Sequence, residues 1–100
     1  MQNRLTDIFR WINDMKDFIN KLNYVADKLY KGDVDYGIAS MGEILSELGD
    51  IVTGLDMEKQ NYLISKILTP MYEAMQEKDG TYLADLINYE LLIFLNSMIE

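Results

Sequence analysis

Apolar residues return at alternating steps of three and four along the first part of the chain: Leu5, Ile8, Ile12, Met15, Ile19, Leu22, Ala26 and Leu29. That spacing is one face of a 3.6-residue helix, so it predicts a single long amphipathic helix beginning near Asn3 or Thr6 and running to Lys31. Trp11, Phe18 and Val25 stand seven apart beside the seam and broaden it into a face for two or three neighbours. Gly32 is placed to end the helix in a left-handed turn, and Asp33 to cap the next one.

The alternation returns three more times. Val34, Ile38, Met41, Leu45, Leu48, Val52 and Leu55 define a second seam, widened by Ile44 and Ile51. Gly42 and Gly49 line its other side, which fits either close approach by a bulky side chain such as Trp11 or Phe18, or tolerated flexibility. Thr53-Gly54-Leu55-Asp56 closes this helix and opens a third, with Asp56 as N-cap. The third seam is Met57, Ile64, Ile67, Met71 and Ala74, flanked by Leu63, Leu68 and Met75. Pro70 interrupts it; lacking an N–H and clashing with the preceding turn, it predicts a kink over residues 66–69, or a restart with Thr69 capping. After Lys78-Asp79-Gly80 the last helix has an inner seam of Ala84, Ile87, Leu91, Phe94 and Met98, edged by Leu83 and Leu95.

Four seams and three short turns predict an all-α fold: an antiparallel up-down four-helix bundle, one domain over residues 1–100, with a long first helix and a proline-kinked third helix. At 1.5 Å per residue the first helix is about 40 Å long and the others nearer 30 Å. It should overhang its neighbours over residues 3–11, carrying Phe9 and Trp11.

The last helix is apolar on more sides than a simple bundle needs. Tyr82, Leu86, Tyr89 and Ile93 form a second stripe, with Leu92 and Ile99 close to it. Tyr82, Leu86, Tyr89, Leu92 and Ile93 are therefore the candidate partner-binding residues, able to receive an amphipathic helix from a client or a second copy. The alternative is a central fourth helix, buried between the first and the third.

Composition narrows the chemistry. The formal charge is −8, from 17 acidic and 9 basic side chains without a block of either sign. Nucleic acid and anionic membrane surfaces, which call for a basic face, are not expected partners. The longest uninterrupted apolar run, residues 91–95, is far short of a membrane span, and a cytoplasmic location is expected. The chain has neither histidine nor cysteine, so the commonest acid–base group and transition-metal ligands are missing. Asp33-Val34-Asp35-Tyr36-Gly37 opens like a calcium loop, but its twelfth position is Ile44. No metal, cofactor or catalytic residue is expected, and the chain is not read as an enzyme. Glu90, alone among apolar neighbours, reads as an edge residue reaching water or Lys21, or as a receptor for a partner's cation.

Over residues 18–91 the layout resembles the flagellin export chaperones of the FliS type. The resemblance lies in the turn Lys31-Gly32-Asp33, in Glu47-Leu48 through Gly54-Leu55-Asp56-Met57-Glu58, in the Met71-Tyr72 pair, and in Lys78-Asp79 before a leucine-rich helix. Members of that family hold a flagellin segment before secretion, and the resemblance implies for this chain a bundle that binds protein helices. The reading is thus a non-catalytic protein-binding bundle of the secretion-chaperone kind, with a homo-oligomerising, homodimeric structural module as the alternative.

Overall fold

The computed structural model describes residues 4–99, all in helices and short turns, with no strand among the described residues. Four helices follow in order: α1 (Arg4–Tyr30), α2 (Val34–Val52), α3 (residues 57–76) and α4 (Gly80–Ile99). α1 packs against both α2 and α4, and α3 packs against α4, so α4 touches a neighbour on two sides. A single core takes Met15, Phe18, Leu22, Ala26 and Leu29 from α1, and Met41, Ile44 and Leu48 from α2. α3 adds Leu63, Ile67, Met71 and Ala74, and α4 adds Leu83, Ala84, Ile87, Leu91 and Leu95. No polar side chain among the described residues is buried, so hydrophobic burial is the main source of stability.

The turns follow local chemistry. At the end of α1, Gly32 takes φ +91°, Asp33 N–H donates to Lys28 O (3.0 Å) and Gly32 N–H donates to Leu29 O (3.0 Å). These are the paired bonds of a Schellman cap. The end of α3 repeats it: Asp79 N–H donates to Ala74 O (2.9 Å) and Lys78 N–H to Met75 O (3.2 Å). There the left-handed residue is Lys78, φ +54°, and not the neighbouring glycine. Asp56 and Asp79 cap α3 and α4, accepting from Lys59 N–H (2.9 Å) and Tyr82 N–H (3.1 Å). Asp33 precedes α2 without a side-chain cap bond. Gln60 braces the α2–α3 turn, its side-chain amide donating to Val52 O (3.2 Å) and Leu55 O (2.8 Å).

Both α3 and α4 contain a π-helical turn, Leu63–Leu68 and Ile87–Leu91 respectively, and the two turns touch. A π turn holds one residue more than an α turn, so it rotates everything on one side of it by about 100°. This changes which residues face inward. In α3 the buried residue is Leu63, while Ile64, expected on the seam, is exposed. In α4 Leu95 is buried, and Phe94 and Met98, expected inside, are half-buried. Pro70 follows directly after the first π turn, and the helix continues through it. Thr69 is not a cap: its hydroxyl donates back to Ile64 O (2.9 Å).

Two further expectations change. Gly42 and Gly49 face open space, whereas a Cβ at Gly37 would stand 2.6 Å from Leu29 Cγ and one at Gly80 2.7 Å from Val34 Cγ2. Close approach thus occurs at Gly37 and Gly80, where α1, α2 and α4 converge. The second is α4 itself. Residues 91–95 are a short apolar run, yet the helix Gly80–Ile99 is long and apolar enough, with an 18-residue window of mean hydropathy 1.2, to match a membrane span by length and composition. Its apolar residues point in several directions because two neighbours and an outward stripe each claim a face.

Candidate interaction surface

α4 carries the five residues expected to meet a partner, and the structure divides them. Leu86 and Leu92 are each only 7% exposed and belong to the core, while Tyr89 and Ile93 are 65% and 61% exposed, and Tyr82 is also exposed. The division follows from the π turn and from the contacts α4 makes with both α1 and α3. What remains outward is Tyr82, then Tyr89 and Ile93 one turn apart, carried by a helix whose other faces are pinned. Behind them, at the edge of the same helix, the Tyr62 ring of α3 stacks on Phe94, with centroids 6.1 Å apart and planes 15° from parallel.

A second apolar surface lies at the start of α1. The first buried residue of that helix is Met15. Before it, Leu5, Ile8, Phe9 and Trp11 are 62%, 52%, 63% and 38% exposed. The expected overhang is therefore present from residue 5 onward, its seam continuing past the end of the core; residue 3 lies outside the described residues. The molecule measures 49 × 26 × 21 Å, and its radius of gyration, 14.1 Å, exceeds the ~13 Å of a compact 100-residue chain.

Between α1 and α2 runs a groove of about 470 Å³, floored by Val25 and Ile44. Lys21 crosses it to Glu47 (2.7 Å), and this hydrogen bond raises the Lys21 pKa above its ordinary value. Tyr24 and Tyr36 meet edge to face, 6.1 Å between centroids, and Lys28 Nζ lies 5.5 Å from the Tyr24 ring centre. The Lys21–Glu47 pair and the Tyr24–Tyr36 contact both cross from α1 to α2, so they stitch the two helices together along the groove. Glu90 is exposed, and Lys21 pairs with Glu47 in its place.

Tyr30 ties the end of α1 to α4. Its hydroxyl donates to Asp85 Oδ1 (2.5 Å) and accepts from Asn88 Nδ2 (3.4 Å). The bond to Asp85, with some desolvation, raises the tyrosine pKa, because ionising Tyr30 would set two anions face to face. No set of three His, Cys, Asp or Glu among the described residues is arranged to hold a metal ion. Sequence periodicity pointed to the overhang and to the stripe on α4; it did not separate the exposed from the buried members of that stripe, which depends on the π turn.

No curated protein and no solved structure matches the chain. A family profile described as a domain of unknown function, DUF8042, matches residues 7–100. That span takes in all four helices and the overhang from Asp7 onward, and the chain belongs to this family.

Proposed function

We propose that the protein is a non-catalytic, protein-binding helical bundle that holds an amphipathic helix of a client against the outward stripe of α4, in the manner of a cytoplasmic secretion chaperone. The observation that carries this is the pair Tyr89 and Ile93, large, apolar, one turn apart and both more than half exposed on a helix otherwise fixed in the core. Such a patch suits the i, i+3, i+4, i+7 anchors of a client helix. Net charge supports a basic or amphipathic client, and the resemblance to the flagellin export chaperones supplies flagellin as the first to try.

The up-down antiparallel arrangement, with α3 bent ahead of Pro70, belongs to the same proposal. Supporting it, the start of α3 meets the end of α4 through Tyr62 and Phe94, and the end of α1 meets the start of α4 where Gly80 approaches Leu29. The burial of Leu83, Ile87, Leu91 and Leu95 in the core supports a cytoplasmic location. A homo-oligomerising structural module is the alternative, favoured by the projecting start of α1.

Co-purification with flagellin tests the reading. The wild-type protein should retain flagellin, and Tyr89→Asp with Ile93→Asp should lose it while keeping its helix content. Retention unchanged by the double substitution refutes the assignment of this stripe. Leu86→Asp is unsuitable because it places a charge in the core.

A further inference from the structure

We propose that the projecting start of α1 is a self-association surface, on which Ile8, Phe9 and Trp11 pack against the same segment of a second copy. The inference uses a different surface from the client-binding stripe and stands independently of it.

Area argues first. At usual side-chain areas, the exposed fractions of Leu5, Ile8, Phe9 and Trp11 leave roughly 400 Å² of apolar surface on two turns of helix. Interfaces are a little over half apolar, so a patch of this size corresponds to about 700 Å² per copy, close to the ~800 Å² each partner contributes to a stable complex. A second copy brings a patch of equal size and matching character without any further requirement.

Charge selects the same occupant. Residues 1–17 hold three basic side chains, Arg4, Arg10 and Lys16, and three acidic ones, Asp7, Asp14 and Asp17, so the net charge of −8 resides in the rest of the chain. Two copies of so acidic a protein repel each other over most of their surface. At the projecting end, where basic and acidic side chains balance, they can meet without apposing like net charge. A basic client gains no steering from this neutral segment and would be drawn to the remainder.

The pattern continues the core. Ile8 and Ile12 belong to the seam that Met15, Leu22 and Leu29 complete inside the bundle, and Phe9 and Trp11 flank it on either side. A helix face of this width packs on more than one helix, as two projecting segments lying together with each other's bundle ends would provide.

Trp11 is the only tryptophan, so the protein carries its own reporter at the proposed interface. Light scattering and tryptophan emission should be followed together across a concentration series at low and high salt. The expected result is a two-chain mass with emission shifting to the blue as mass rises, and association at least tenfold tighter at high salt, where the −8 charges are screened. Ile8→Asp with Phe9→Asp should return the mass to one chain and the emission to the red, with helix content held because both residues lie outside the core, and with a melting temperature that no longer depends on concentration. A one-chain mass at every concentration overturns the proposal, as does a two-chain mass that survives the double substitution. A blue shift that needs added flagellin or lipid vesicles, at one-chain mass, also overturns it by giving the surface a different occupant.

Discussion

A methyl group is the smallest probe of how closely the helices approach. At Gly37 and Gly80 it would collide with Leu29 and Val34, so Gly37→Ala and Gly80→Ala are expected to lower the melting temperature. Gly42 and Gly49 face open space in a helix, and each change to alanine should raise stability by about 0.5–1 kcal/mol. Chemical denaturation of the four variants measures both signs, and stabilisation at Gly37 would refute the close contact with α1. Lys78 holds a left-handed conformation that favours glycine; Lys78→Gly should stabilise by about 1 kcal/mol in the same assay. Tyr30 provides a pH signature. Its raised pKa means that the folded state favours the neutral phenol, so its contribution is present below the unfolded value of about 10 and fades as pH rises through the folded value. Stability should therefore fall at alkaline pH, and less steeply in Tyr30→Phe; equal slopes would deny Tyr30 this role.

At the scale of elements, the two π turns decide which side chains carry the fold. Leu63→Ala should cost about 2–5 kcal/mol and Ile64→Ala under about 1 kcal/mol, by denaturant titration. An unbroken α-helix through α3 would set the two residues about equally far from the seam and give losses of similar size. The four helices, the cap at Asp56 and the turn at Gly32 were legible because periodicity and turn chemistry agree at those places. The π turns were not, and the reason is local: Leu63-Ile64 and the run of residues 91–95 are apolar at consecutive positions. A one-residue slip there exchanges one good core residue for another, so hydrophobic pattern alone leaves the phase open. The stripe on α4 inherited that ambiguity. Its outward members, Tyr82, Tyr89 and Ile93, and its inward ones, Leu86 and Leu92, separate only when the neighbours on both sides of α4 are in place.

For the whole molecule, two apolar surfaces are set in an acidic body, and salt distinguishes their uses. Client binding to α4, as proposed, would draw on attraction between the acidic bundle and a basic or amphipathic helix and should weaken as salt rises. Pairing through the start of α1 joins two copies of like net charge and should strengthen. The overhang was visible in the length of the first seam, since Leu5 to Leu29 outruns any helix that the later turns allow. The central claim, that α4 holds a client helix, is tested most directly by titrating flagellin into the wild-type protein and into Tyr89→Asp with Ile93→Asp in a calorimeter. The account predicts saturable binding by the wild type that weakens with salt, and at least a hundredfold loss in a variant that remains helical. Equal affinity in the two proteins, or no binding by the wild type at any salt, would contradict it.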